Sequence, residues 1–372
     1  VEGAILEDTP PRWINHFYDP THQEGWTGEK AGNIAPSTIV SWATAGLFTE
    51  NPISAVNWVN NQSIQEKYSR YGGDRTWKKG LEYYADGNKK EAYITLGYVL
   101  HLLEDQSVPD HTRNDTHAHE LEKITGDYGS PYEEYLKKYT RQTIKKDLDL
   151  ANNFKKQNLI PITKQSIEDY LISLATYSNK YFFSKDTIND SKYQNPKIIK
   201  DDGEFGYGKD EGGKEFLLAK ATLFEIRTGI ITVYSLSIND SNIIDQYFSR
   251  LSRQAVLHGA GIIDLFNKQA ADAVFAKEYS PHIFQFSMPQ ITIPAISLVG
   301  EGYKTGIISF AAQSVSSIGS FFSNIFGGSN RGSAQIVNNT SQNNVISGIN
   351  IQTAQTVQTV QAASNANQNI VN

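Results

Sequence analysis

The residue types best suited to chemistry are concentrated between His101 and Glu122. Four of the eight histidines of the chain lie in this stretch, within a span of nineteen residues. His101 and Asp105 are at positions i and i+4, so a helix would place both side chains on one face, one turn apart. An imidazole and a carboxylate in this arrangement can chelate one metal ion.

The apolar neighbours of this pair strengthen the metal interpretation. Leu100 and Leu103 would bury the same helical face, and an ionised Asp105 without a partner would cost several kcal/mol there, roughly. A divalent cation would remove that cost. A buried His–Asp hydrogen bond would explain a lone pair equally well, so the choice depends on the residues that follow.

Those residues favour a metal site. Pro109 ends the helix and turns the chain, which allows His111 to point back toward the same pocket. His119 and Glu122 are at i and i+3, where one helical turn can hold a metal. His117 could replace His119 as a ligand or lie exposed in a polar loop.

The kinds of donor atom narrow the choice of metal. The chain has no cysteine, which excludes disulfides, thiolate ligands and a cysteine nucleophile. Closed structural zinc sites usually contain cysteine, whereas mixed His and carboxylate sets suit zinc ions that retain water. We therefore expect zinc in an open, hydrolytic type of site.

A second cluster lies near the start of the chain. Glu7 and Asp8 precede His16, which is flanked by aromatic residues. By itself this cluster indicates a loop with a packed histidine. His22 is expected at the surface, and His258 is expected to be a packing or hydrogen-bonded histidine of a long helix.

The surrounding pattern predicts an all-α domain with its site on the inner helical faces. Apolar residues recur at spacings of three and four, and no convincing alternating strand is evident. The segments predicted to be helical are Lys90–Leu103, Tyr132–Phe154, Ser166–Phe183, Glu215–Ser237 and Asn242–Gln269. Segments rich in Gly, Asp and Asn, such as Tyr71–Asp74 and Asp201–Gly213, are predicted loops.

The composition changes after the helical domain, which we assign to residues 1–279. Residues 280–328 carry almost no charge, and an apolar stripe runs from Ile308 to Ile325. This stripe could pack on the domain or a partner, or make transient contact with a membrane surface; packing on protein is preferred because membrane-surface helices usually carry Lys or Arg. Residues 329–372, rich in Asn, Gln and Ser, are expected to be a disordered linker, with a β-rich passenger as the alternative.

Overall charge and the first residues give weaker constraints. The net charge of −6 does not suggest nucleic-acid binding, and no apolar run is long enough for a conventional membrane span. The chain begins at Val1 and shows no signal peptide. A removed leader and a fragment of a longer protein both fit, and we favour the fragment because a functional motif begins so early.

Taken in order, these motifs resemble the bacterial zinc-dependent phospholipase C family. The resemblance rests on the Leu-Gly-x-x-x-His-x-x-x-Asp helix that ends at Asp105, the Val-Pro-x-His turn that ends at His111, and the His-Phe-Tyr-Asp-Pro motif that begins at His16. It covers roughly residues 1–269. The family shares its fold and three-zinc site with single-strand-specific nucleases.

The resemblance implies two sets of zinc ligands. The first set is His16, His101 and Asp105, and the second is His111, His119 and Glu122. Asp105 would also bridge to a third ion. Asp8 takes the place of an acidic residue that acts as a general base or orients the metals, and Glu7 is the alternative for that role.

Two features depart from the family pattern. The family holds its third zinc partly through an amino-terminal tryptophan and a histidine shortly after it, and neither is present before Glu7. Either these ligands lie upstream in a longer protein or this member holds two ions. The family also separates the last His and Glu by four residues, whereas His119 and Glu122 are three apart and His117 and Glu122 are five apart.

The implied function is hydrolysis of a phosphodiester by metal-activated water. The resemblance favours a secreted or cell-surface phospholipase C that acts on phospholipid head groups. The alternatives are a nuclease with the same metals and a non-catalytic surface protein that binds zinc. No stable nucleic-acid partner is expected, because no cluster of Lys and Arg accompanies the motif.

Overall fold

The computed structural model describes residues 1–28, 35–43, 46, 50–117, 129–137, 159–193 and 196–279, together with two strands in the tail. Its α-helices are α1 (Glu2–Glu7), α2 (Pro36–Ala43), α3 (Ala55–Trp58), α4 (Gln62–Gln65), α5 (Trp77–Ala85), α6 (Lys89–Asp105), α7 (Pro109–Thr112), α8 (Pro131–Lys137), α9 (Ile167–Tyr181) and α10 (Ser241–Tyr279). Short 3₁₀ helices cover Arg12–Asn15, Glu66–Tyr71 and Lys185–Thr187.

An antiparallel sheet accompanies these helices, so the all-α prediction was wrong and the fold is mixed. Its strands, in spatial order, are β1 (Lys200–Asp201), β2 (Phe205–Lys209), β3 (Glu215–Ile226) and β4 (Gly229–Ser235). The predicted helix Glu215–Ser237 is therefore the β3–β4 hairpin, and the predicted loop Asp201–Gly213 contains β2.

The physical reason lies in the composition of this hairpin. Thr, Ile, Val, Phe and Tyr are abundant in it, and β-branched and aromatic side chains fit a pleated sheet better than a helix. Gly229 has a φ of 142°, a backbone conformation that favours glycine, and it opens β4 just after the turn. Apolar residues in the same segment also recur at spacings of three and four, and this pattern led to the wrong prediction of a helix.

Helix α6 is the element around which the helical part is arranged. It contacts α1, α5, α9 and α10, and eleven of its seventeen residues are buried, which leaves it little exposed surface. Its start is capped by Asn88, whose side chain accepts a hydrogen bond from the backbone N–H of Glu91. It ends at Asp105, and Pro109 occupies the first turn of α7, where the missing N–H costs nothing.

Helix α1 touches α6 through its backbone. A methyl group added to Gly3 would lie 1.8 Å from the carbonyl oxygen of Ile94, and one added to Gly97 would lie 3.1 Å from the Cα of Gly3. Two glycines therefore let the helices meet without intervening side chains. This contact brings the end of α1 against the end of α6, where the histidines lie.

The sheet is attached to α10. The hydroxyl of Tyr247 donates to the carbonyl oxygen of Leu218 in β3, at 2.8 Å, and the Tyr247 ring packs against Phe182. Phe216 also packs on Phe182, so one aromatic cluster joins α10, β3 and the end of α9. Such rings bury much apolar area and stabilise this junction.

The chain divides into two compact units, Val1–Gly327 and Gly328–Asn372. In the second unit, β5 (Gln342–Ile346) pairs antiparallel with β6 (Ile349–Thr353). The predicted apolar stripe from Ile308 to Ile325 lies outside the described residues. Among the residues that are described, no helix has both the length and the apolar character needed to cross a membrane.

Candidate metal centre

The first group of potential ligands comes from three elements. Asp8 follows α1, His16 follows the Arg12–Asn15 turn, and His101 lies on α6. Each offers one ligand atom, and these atoms lie within 4.8 Å of one another. The histidines are almost completely buried, whereas the side chain of Asp8 is 15% exposed and gives the group a side open to water.

The second group joins the α7 region to α8. The Nε2 atoms of His111 and His117 both lie 3.2 Å from Oε1 of Glu133. All three residues could hold a single ion. The start of α8 is fixed by Ser130, which donates a hydrogen bond of 2.7 Å to Asp110, one residue before His111.

Asp105 lies between the two groups. Its Oδ2 atom is 2.7 Å from Nδ1 of His16 and 3.2 Å from Nε2 of His101. The same oxygen is 3.9 Å from Nδ1 of His111. One buried carboxylate oxygen therefore faces both ligand groups.

Backbone contacts hold the His16 loop against the α6–α7 turn. Gln106 donates through Nε2 to the carbonyl oxygen of His16 at 3.0 Å, and the N–H of Tyr18 donates to the carbonyl of His111 at 3.1 Å. The ring of Phe17 stacks on that of His111, with centroids 4.6 Å apart. These hydrogen bonds and this packing bring His16, which is distant in sequence, next to His101 and Asp105.

Glu7 and Asp8 have different contacts in the structure. Glu7 is fully buried, forms an ion pair with Arg12 at 2.7 Å and accepts a hydrogen bond from the indole N–H of Trp58 at 2.6 Å. Asp8 instead lies 3.8 Å from Nε2 of His101. Asp8 is the residue that joins the ligand group, and Glu7 lies behind His16.

In the centre, each buried imidazole lies beside a carboxylate of opposite charge. Burial by itself would lower the pKa of His16, but Asp105 and Glu7 outweigh it and raise that pKa to about 10. Facing carboxylates likewise raise the pKa values of His101 and His117. Imidazoles in turn hold the pKa of Asp105 well below its usual range, against the effect of burial. Because bound metal requires neutral imidazoles, metal binding would release these protons.

Asp8 differs from the other carboxylates. Burial raises its pKa to about 6, an effect that His101 and His16 only partly oppose. A carboxylate with a pKa in this range can exchange a proton near neutral pH. This property suits the role that the family resemblance implies for Asp8.

The structure describes some of the ligands predicted from the sequence and not others. His16, His101, Asp105 and His111 lie together, whereas the motif around His16 by itself had indicated only a packed loop histidine. His119 and Glu122 lie outside the described residues. His117, left open between ligand and exposed loop, is in the second ligand group.

Glu133 was not predicted. It is 4% exposed, whereas its neighbour Glu134 is partly exposed, and spacing along α8 does not separate them. The available signal was Pro131, which marks a helix start and places Glu133 in the first turn. That signal places the helix but does not show which carboxylate turns inward.

The two other histidines in the described part of the chain, His22 and His258, have other partners. Oδ2 of Asp19 is bonded to the hydroxyl of Tyr193 and to His22, both within 2.8 Å, and Oδ1 accepts from the N–H of Thr21. These bonds stabilise a turn. Asp19, His22 and Glu24 are also close enough together to be a third possible metal-binding group. His258 is bonded to the carbonyl of Gln254 and to Ser173, as a packing histidine would be.

The donors present fit a divalent metal ion. Oδ2 of Asp105 and Nδ1 of His111 are buried and make no hydrogen bond of standard geometry. Buried polar atoms are normally satisfied, and a bound cation would satisfy these. Several His, Asp and Glu residues of the chain are therefore placed where they could hold a metal ion.

Comparisons with protein-family models, with curated proteins and with solved structures found no match to this chain.

Proposed function

We propose that this protein is a zinc-dependent phosphodiester hydrolase of the phospholipase C type. The observation that carries the proposal is the position of Asp105, whose Oδ2 atom faces His16 and His101 on one side and His111 on the other. Two adjacent ligand groups that share a carboxylate are typical of the metal pairs of phosphoesterases.

The donor set favours zinc. It consists of imidazoles and carboxylates without sulfur, and the histidines outnumber those usual in magnesium or calcium sites, which are built from oxygen ligands. Asp8, His16 and His101 would hold one ion and His111, His117 and Glu133 a second, with Asp105 shared by both. When bound, such ions act as Lewis acids that polarise a phosphoryl oxygen and acidify water.

The protein's own residues supply position and proton transfer. The buried carboxylates compensate the positive charge of the centre, and the α6–α7 turn keeps the two ligand groups adjacent. Asp8 lies at the water-accessible side, where its carboxylate can accept a proton from the attacking water.

Lipid is favoured over nucleic acid by the arginines adjacent to the site. Arg12 is buried against Glu7, and Arg113 is buried with its guanidinium bonded to Thr187 and to the carbonyl of Asn179. Neither presents its charge to a phosphate backbone, as a nuclease groove requires. The half-buried Trp13, which contacts Trp26, would suit a lipid-facing pocket and base stacking equally well, so the choice of lipid rests on the arginines.

The test is hydrolysis by the zinc-loaded full chain of phosphatidylcholine vesicles and, separately, of single-stranded DNA. We expect release of phosphorylated head group from the vesicles, reduced more than about 100-fold by Asp105→Asn, since even residues behind metal ligands are worth 10–100-fold. The matched control is Glu91→Gln, which alters a partly exposed carboxylate of the same helix, paired with Arg75.

Each other outcome has a definite meaning. Cleavage of DNA alone would assign the centre to a nuclease. No hydrolysis of either substrate by protein that holds zinc would contradict the proposed function and leave a zinc-binding role.

A further inference from the structure

Glu7 is a buried carboxylate that is held on two sides. Its Oε2 atom is 2.7 Å from Arg12, and its Oε1 atom accepts the indole N–H of Trp58. Arg12 is itself fixed, because its guanidinium lies 4.9 Å from the ring centroids of both Trp58 and Tyr98. The carboxylate therefore has a single orientation, and its charge is compensated.

His16 lies between this carboxylate and the metal centre. Its Nδ1 atom is 2.7 Å from Oδ2 of Asp105 and 3.2 Å from Nε2 of His101. Its Nε2 atom faces away from them and lies 3.4 Å from Oε1 of Glu7. That separation exceeds the usual hydrogen-bond range, so the contact is chiefly electrostatic. The two ring nitrogens thus have different surroundings.

We infer that Glu7 is a positioning residue, which holds the proton of His16 on Nε2 and leaves Nδ1 to bind the metal. The inference rests on the metal centre of the proposed function. A carboxylate behind a metal-binding imidazole fixes its tautomer and orientation and makes it a better ligand. Because Arg12 and Trp58 hold the Glu7 carboxylate in place, they would fix the orientation and tautomer of His16 through Glu7.

A purely structural carboxylate would stabilise the fold without affecting the metal. The distinguishing measurements are the zinc affinity of the full chain, by competition with a chromophoric chelator, and the tautomer of His16, by ¹⁵N NMR of histidine-labelled protein. The His16 signal is assigned by its loss in His16→Gln.

We expect the zinc-loaded protein to carry the His16 proton on Nε2. Glu7→Gln should weaken zinc binding about 10–100-fold. Tyr247→Phe is the control: it removes a buried hydrogen bond to Leu218 in another part of the domain, and should leave zinc affinity within about three-fold while lowering stability.

Zinc bound to Nε2 of His16 would overturn the inference, as would equal zinc affinities in Glu7→Gln and Tyr247→Phe. If Glu7→Gln does not fold, the tautomer in the unaltered protein decides. Failure of the unaltered protein to bind zinc would instead contradict the proposed function itself.

Discussion

Asp105 illustrates at the residue scale how the candidate site could hold a cation. Its carboxylate is 3% exposed and is surrounded by imidazoles from three parts of the chain. Without metal, protons on those imidazoles must compensate its charge. A bound metal ion would take the place of these protons, and the same groups would then act as its ligands.

Neighbouring carboxylates of α8 provide a residue-scale test of the second ligand group. Glu133→Gln should remove a ligand and lower the zinc content by about one ion per chain, because Glu133 faces both His111 and His117. Glu134→Gln should leave it unchanged. Elemental analysis of dialysed proteins measures the difference, and equal zinc contents would exclude Glu133 as a ligand.

How much of the site could be predicted depends on whether its residues are close in sequence. His101 and Asp105 form a pair within one helix, so their spacing fixed their shared face. His111 followed from a single proline turn. Glu133 reaches the site through the docking of α8, a tertiary contact that no local spacing records.

At the element scale, the α1–α6 contact decides where Asp8 lies. Gly3→Ala would place a methyl group against the carbonyl oxygen of Ile94, so α1 must move. We expect a loss of stability of about 1–3 kcal/mol and weaker zinc binding. Urea unfolding and zinc titration measure the two effects.

Gly212→Ala is the control for this change. It lies in the turn before β3, where the added methyl group would only approach Asp210, at 3.4 Å. A stable Gly3→Ala protein with unaltered zinc affinity would show that the close helix contact does not position the site.

The packing of α9 on α10 depends on a neutral histidine. Burial lowers the pKa of His258 to about 4, well below the 6.5 of an exposed histidine. The unfolded chain therefore binds a proton at this residue between pH 6.5 and 4 and the folded chain does not, so stability falls as the pH falls through this range.

The expected cost at His258 is about 2 kcal/mol between pH 7 and pH 5. The measurement is the free energy of unfolding in urea at both pH values, for the unaltered protein and for His258→Gln. The unaltered protein should lose more stability than the variant by that amount. The same loss in both proteins would mean that His258 is not buried in its neutral form.

At this scale the long helices were predicted from the sequence and the sheet was not. The helices α6, α9 and α10 were expected because their apolar residues fit a helical period over long segments. In the stretch Glu215–Ser235 an apolar run satisfies both periods, and its β-branched residues and turn glycine were the deciding features. The prediction followed an incomplete helical periodicity, whereas the structure follows the strand preference of these residues.

For the whole molecule, metal should contribute to stability because the ligands come from elements spread over more than 120 residues of sequence, from Asp8 to Glu133. Zinc at about a thousand times its Kd should raise the free energy of unfolding by about 4 kcal/mol. Urea unfolding with zinc and with a chelator measures this. Identical midpoints would show that the folded chain binds no metal.

The central claim is that two ligand groups share Asp105, and metal content tests it most directly. Elemental analysis of the full chain, loaded with zinc and dialysed at neutral pH, should give about two zinc ions per chain, with less than about one in Asp105→Asn. Fewer than about one ion in the unaltered protein, or an unchanged content in Asp105→Asn, would contradict a shared metal centre.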